Sequence, residues 1–164
     1  MWVDPMEIYL LRHAIAEDPA PGRPDSDRAL TAEGRDKLRR VLKRARQAEV
    51  SPTLILSSPY RRALETAEIA VQALAYAGRL VHSRSLVPEA SPHDLWAEIR
   101  SHRAENAILL ASHEPLMSAA AAFLLGCPAL QVEMKKAALV RIDCDRFGGD
   151  PQGVLKWMLT PAVA

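Results

Sequence analysis

Two histidines in this sequence follow apolar runs: Arg12-His13 comes directly after EIYLL at 7–11, and His113 comes directly after AILLAS at 107–112. A third run, TLILSS at 53–58, lies just upstream of Arg62. Brought to one point, two guanidiniums and two imidazoles would make a site for a tetrahedral dianion, because arginine forks match phosphate oxygens bidentately and keep their charge at any relevant pH. A neutral imidazole in such a pocket is also a nucleophile that can attack phosphorus and carry the phosphoryl group covalently. Taken singly, these residues say little. An Arg-His pair at a strand end is commonly ion-paired or solvent-facing, His113 before Glu-Pro is no different, and Arg62 in Tyr-Arg-Arg would be at home on a helix surface.

The surrounding elements decide whether they can meet. The run at 7–11 suits a buried parallel strand. Residues 14–30, rich in Pro, Asp and Ala and without a helical period, predict a long loop of the kind that is often functional in compact domains. Thr31 reads as the N-cap of an amphipathic helix over 31–48, with Glu33 in its first turn and Leu38, Val41, Leu42 and Ala45 recurring on one face. The other face carries Arg35, Lys37, Arg39, Arg40, Lys43, Arg44 and Arg46. Such a face would suit an acidic partner but is more commonly a solvated surface.

A second strand is expected at 53–58, then a helix from Pro59 to about Tyr76 closed by Gly78. A third strand at 80–83, a helix at 92–104 after Ser91, a fourth strand at 107–112 and an apolar helix at 115–125 follow, the last stopped by Gly126 and Pro128. Two strands at 137–143 and 154–160 flank FGGDPQG and are expected to be antiparallel. The alternation predicts an α/β fold: a three-layer α/β/α sandwich with a mostly parallel mixed sheet, an antiparallel edge and no lid subdomain, in one domain spanning 1–164. Ligands of such sheets bind beyond the carboxyl ends of the parallel strands. Arg12-His13, Ser57-Ser58 with Arg62, and Ser112-His113 all fall at that edge, where the helix beginning near Pro59 would add its free amides and dipole.

Composition narrows the classes. With 21 Lys plus Arg against 20 Asp plus Glu, a net charge of +1 gives no whole-protein field for nucleic acid or acidic lipid, so anion chemistry must be local. The two cysteines, Cys127 and Cys144, lack CxxC spacing and read as core residues of a protein in a reducing compartment. MWVDPMEIYLL has no basic n-region or sustained apolar stretch, and no segment is long and apolar enough to span a bilayer, which predicts a soluble, cytoplasmic chain with no membrane partner. Residues 1–5 are expected to be an extended start that adds little to the fold.

Five stretches together resemble a known family. YLLRHA (9–14), RALTAEGR (28–35), SSPYRRALETA (57–67), VPEASP (87–92) and ASHEPLMS (111–118) are similar, in order and spacing, to motifs of the histidine phosphatase superfamily and within it to the small SixA-like phosphohistidine phosphatases. The resemblance implies that His13 is the phospho-acceptor, that Arg12 and Arg62 clamp the phosphoryl oxygens, and that His113 completes the pocket. Arg62 rather than Arg61 fits, since the family's arginine directly precedes the alanine of this motif. Arg28 matches a basic residue of the smaller members and would touch phosphate or substrate, or else form a surface ion pair. Two departures stand out. The superfamily's Arg-His-Gly is Arg-His-Ala here, as in the SixA-like branch. The general acid is Glu89 by position, with Asp94, His93 or water as alternatives.

Only about fifty residues separate Arg62 from His113, already committed to two helices and two strands, so no lid is expected. An open site suits a phosphate displayed on a protein, and a phosphoramidate needs less general-acid help than an alkyl ester. The expected activity is therefore metal-independent and cofactor-free hydrolysis of phosphohistidine on a protein of a phosphorelay, with a histidine-phosphotransfer domain as one such partner. The alternatives are a small-molecule phosphomonoesterase acting on a small phosphate ester and a non-catalytic phosphate-binding domain. A zinc hydrolase built on His13 and His113 would need a third ligand, and a mutase would need a lid to protect the phosphoenzyme from water.

Overall fold

The computed structural model describes residues 4–164, so the expectation for residues 1–5 falls partly outside the described residues. Among the described residues six strands, β1 (Met6–Arg12), β2 (Leu54–Ser57), β3 (Leu80–His82), β4 (Ala107–Ser112), β5 (Leu139–Cys144) and β6 (Val154–Leu159), form one sheet in the order β3-β2-β4-β1-β5-β6. β3, β2, β4 and β1 are parallel neighbours, whereas β5 runs antiparallel to both β1 and β6. Helices α1 (Ala32–Gln47), α2 (Arg61–Ala73), α3 (Pro92–Ser101) and α4 (Leu116–Leu124) complete the sandwich.

The period of two along the strands sorts the core into its layers. Tyr9 and Leu11 of β1, with Leu109 of β4, pack beneath Leu38, Val41 and Leu42 of α1 and Ala67 and Ala70 of α2. Ile8 and Leu10, with Ile108 and Leu110, pack against Leu95 and Ile99 of α3 and Met117 and Ala120 of α4. Thr31 caps α1 as expected, its hydroxyl accepting from the Gly34 amide at 3.0 Å. Gly34 is there for space: a Cβ would stand 2.3 Å from the carbonyl oxygen of Ile15, so α1 lies directly against the loop that follows β1.

Two helices are shorter than their sequence patterns suggest. α2 begins at Arg61 and ends at Ala73, and its stop is not Gly78. The chain turns at Ala75, with φ 52°, where the Tyr76 amide donates to the carbonyl of Val71 (3.0 Å) and the Ala75 amide to that of Gln72 (3.3 Å). This is a Schellman closure, which glycine favours but alanine can adopt at a cost of about 1–2 kcal/mol. Gly78 instead makes room for the ring of Tyr76, whose hydroxyl oxygen would lie 2.4 Å from a Cβ at that position. α3 ends at Ser101, with the His102 amide turning back to the carbonyl of Ile99.

Candidate active site

β4 lies between β1 and β2, and this adjacency brings three distant segments together. Arg12 is level with Ser112, and Ser57 with Ala111. Just past the strand ends, the His13 amide donates to the Ser112 carbonyl (2.9 Å) and the Ser58 amide to that of Ala111 (3.0 Å). The residues leaving three parallel strands thus start from one edge.

His13 and His113 face each other there with ring centroids 5.2 Å apart, and they are 6% and 1% exposed. Nδ1 of His13 lies 2.7 Å from the carbonyl oxygen of Ala14. A carbonyl only accepts, so Nδ1 carries the proton and Nε2 keeps its lone pair. Burial, reinforced by the charges of Arg62, Arg12 and Lys136, depresses the His13 pKa to about 4 against the pull of that hydrogen bond. The imidazole is neutral at physiological pH. His113 is depressed further, to about 3, by burial and then by His13 and Arg62. Its Nε2 is 2.7 Å from Oγ of Ser58, and its Nδ1 is buried without a partner.

The arginines are held by different means. Arg12 donates from one terminal nitrogen to the carbonyl of Met134 at 2.8 Å, and its Nε is buried without a partner. Arg62, 4% exposed, sends its two terminal nitrogens to Asp25, one to the carbonyl oxygen at 2.8 Å and one to Oδ2 at 3.0 Å. Its Nε is likewise buried and unpartnered. Burial lowers the pKa of both guanidiniums, opposed by Glu114 at Arg12 and by Asp25 at Arg62. Arg61 turns away to Glu65 at 3.0 Å, with its side chain 54% exposed.

Thr66, one turn after Arg62, ties the helix to the first loop. Its hydroxyl donates to the Arg62 carbonyl (2.7 Å) and accepts from the Ala14 amide (3.1 Å). The backbone beside His13 is thereby fixed to the turn that carries Arg62. The Arg62/Thr66 spacing of four residues was the available signal, since such pairs share a helix face. Asp25 had no such signal: its role depends on a short 3₁₀ turn, residues 25–27, folding back over α2 from within the long loop.

The outlying candidates sort themselves around this core. Arg28 does not stand alone: its Nε donates to Oδ1 of Asp25 at 2.8 Å and a terminal nitrogen to the Glu17 carbonyl at 2.9 Å. Although partial burial works to raise it, Arg62 and Arg28 hold the Asp25 carboxyl below its usual pKa. Arg28 is therefore one carboxylate removed from Arg62. Glu89 is exposed and accepts from the Tyr60 hydroxyl at 3.4 Å. Tyr60, which the sequence did not single out, places its ring edge-on to His113 at 5.1 Å and under the Arg62 guanidinium at 5.2 Å. Asp94 is occupied as a cap, accepting from the amide and hydroxyl of Ser91. His93 packs on Phe123.

Two guanidiniums, a neutral imidazole with a free Nε2 and a second imidazole are the groups that a phosphoryl-transfer site requires: donors for phosphate oxygens and a ring nitrogen able to attack phosphorus. Among the described residues no three His, Cys, Asp or Glu are grouped so as to hold a metal ion. Comparison with known proteins gives the family. Residues 8–84 match the histidine phosphatase superfamily (branch 1). An uncharacterized protein of Picosynechococcus sp. (strain PCC 7002) is 33% identical over 141 residues, covering 82% of this chain and 83% of that protein. A solved structure of the protein histidine phosphatase SixA complexed with tungstate superposes with a TM-score of 0.85 at 26% identity, covering 96% of this chain and 98% of that one. A second, of an Agrobacterium tumefaciens protein assigned as phosphohistidine phosphatase SixA, gives 0.83 at 26% identity over 96% and 99%. The chain belongs to the histidine phosphatase superfamily, in its SixA-like group, and is a phosphatase.

Proposed function

We propose that the protein removes phosphate from phosphohistidine on a protein, without a metal ion, through a phosphorylated His13. The observation that carries this reading is the tautomer of His13: Nδ1 donates to Ala14, and burial keeps the ring neutral, so Nε2 is ready as a nucleophile. Nε2 attacks phosphorus, the N–P bond forms, and the bond to the leaving group breaks on the opposite side. Arg12 and Arg62 offset the charge of the equatorial oxygens, the work that magnesium performs in other phosphoryl transfers. His113 shares a hydrogen bond between its Nε2 and the Ser58 hydroxyl, and its other ring nitrogen, Nδ1, is buried and unpartnered beside His13, where it can hydrogen-bond a phosphoryl oxygen. Water then attacks the phosphohistidine, the N–P bond breaks, and inorganic phosphate leaves.

Two further features support a protein substrate. The segment between α2 and β4 is taken up by β3, a 3₁₀ turn and α3, so nothing in it encloses the cleft. Glu89, the acid by position, is exposed and reached only through Tyr60. An acid so placed suits imidazole, which leaves readily, better than an alkoxide, which must be protonated as the bond breaks. SixA, the relative at TM-score 0.85, is itself described as a protein histidine phosphatase.

The test is trapping with labelled substrate under alkaline conditions, because acid destroys phosphohistidine. Wild type should carry label on His13 and His13→Ala none, with turnover unchanged by EDTA and faster on a phosphohistidine protein than on a small phosphate ester. Undiminished turnover by His13→Ala would falsify the mechanism, and a preference for the small ester would move the substrate to the phosphomonoesterase alternative.

A further inference from the structure

One edge of the basic face of α1, Lys37 and Arg40, borders a cavity. An open cavity of about 690 Å³ lies between α1, the loop after β1, residues 135–137 and the C-terminal turn at 160–162, and Arg12 lines it. Lys37, Arg40, Lys135 and Lys136 line it as well, and no carboxylate does. In a protein whose net charge is only +1, this is a concentrated local field. Lys37 and Lys135 are partly offset by Glu33 and Glu133, at 2.8 and 2.7 Å. Among the described residues no carboxylate pairs with Arg40 or Lys136. Ile15, Ala137, Pro161 and Ala162 supply an apolar floor.

This cavity is coupled to the chemistry. Arg12 lines it and also bears on His13, and Lys136 is close enough for its charge to depress the His13 pKa. The track also has a direction. On the other side of Arg12 a neighbouring cavity is lined by Glu114 and Glu133 together with Arg12 and Lys135, whereas beyond Arg40 a smaller one adds Lys43 and Arg44 and no acidic side chain. An anionic chain leaving the phosphoryl site meets balanced charge on one side and an excess of cations along α1 on the other.

We propose that this cavity is a second anion subsite, which takes acidic residues flanking the phosphorylated histidine of a protein substrate. It rests on the reading of the protein as a phosphohistidine phosphatase. The occupant follows from the shape: small ligands are held in sites that bury most of their surface, whereas an open cationic trough with an apolar floor fits an extended segment that alternates acidic and apolar side chains. Long-range attraction to such a trough raises association with the acidic partner and weakens with salt.

The experiment compares two phosphohistidine peptides, one with Asp and Glu flanking the histidine and one with Asn and Gln there, with nitrophenyl phosphate and a small bisphosphate as further substrates. For wild type at low salt, kcat/KM for the acidic peptide should exceed that for the neutral peptide by about tenfold or more, and 0.5 M salt, about a 4 Å Debye length, should erase the difference. Arg40→Glu/Lys136→Glu should lose or invert the preference, Arg40→Gln/Lys136→Gln should reduce it, and the charge-matched Arg100→Glu/Arg103→Glu on the α3 side should keep it. Equal rates on both peptides, or a preference that survives charge reversal, overturn the subsite while leaving the phosphohistidine reading intact. Turnover of nitrophenyl phosphate but of neither peptide overturns both. A preference confined to the bisphosphate, lost on charge reversal, overturns the acidic-segment assignment.

Discussion

Replacing Arg62 by alanine removes a guanidinium that is 4% exposed, whereas replacing its neighbour Arg61 removes one whose side chain is 54% exposed, so the pair separates chemistry from surface charge. Arg62 is held in place by two bonds to Asp25 before any substrate arrives. A preorganised donor to developing charge is worth about 10²–10³ in rate, or about 2.7–4 kcal/mol. Arg62→Ala should therefore lower kcat/KM on nitrophenyl phosphate by that factor. Arg61 pairs with Glu65, which Arg35 also holds, and exposed pairs contribute about 0–1 kcal/mol, so Arg61→Ala should stay within about threefold. The pH profile adds a second readout. After burial, the charge of Arg62 is among the influences that hold His13 near 4 and His113 near 3. Without it both pKa values rise, so the acid limb of kcat/KM moves to higher pH in Arg62→Ala, and not in Arg61→Ala. Because burial is the larger cause, the limb should stay below the ordinary histidine value of about 6.5. Comparable losses from the two variants, or a limb that moves to lower pH, would refute both the register of α2 and the electrostatic argument. Thermal melts of each variant guard against a loss that is only unfolding.

The buried histidines also tie stability to pH. Their folded pKa values lie below the unfolded value of about 6.5, so the unfolded chain binds more protons as pH falls, and stability is lost from about pH 6.5 downward. Urea titrations of wild type and His13→Asn should converge on acidification, with the His13 contribution reaching about 3 kcal/mol at pH 4; parallel curves would mean that His13 is not held neutral by its site. For Glu89→Gln, loss of activity should follow leaving-group basicity: large on an alkyl phosphate, intermediate on nitrophenyl phosphate and within about tenfold on phosphohistidine, a barrier change of about 1.4 kcal/mol or less. Equal losses on all three would make Glu89 a positioning group. Gly34→Ala should destabilise by about 1–3 kcal/mol in denaturant titrations, because its Cβ meets the Ile15 carbonyl, and an unchanged midpoint would mean that α1 can shift.

The strand runs, the cap at Thr31 and the order of elements were legible in the sequence, because apolar periodicity and capping are local properties of neighbouring residues. Period-two alternation in β1 even separates the residues of the two cores, Tyr9 and Leu11 from Ile8 and Leu10. Arg12, His13, Arg62 and His113 could be singled out because each stands at the carboxyl end of a parallel strand or in the helix turn after one. Their meeting depended on β4 pairing with both β1 and β2, a matter of strand order that no local pattern encodes. The close of α2 was misread because alanine at Ala75 took the left-handed turn expected of Gly78, a choice made by Tyr76 closing onto Val71. Asp25 against Arg62, Thr66 against Ala14, Tyr60 between His113 and Glu89, and the convergence of Lys136 and Arg40 on Arg12 came only from the tertiary structure. Each joins residues far apart in the chain, and the energy of such a contact depends on a distance in space that spacing along the sequence does not set.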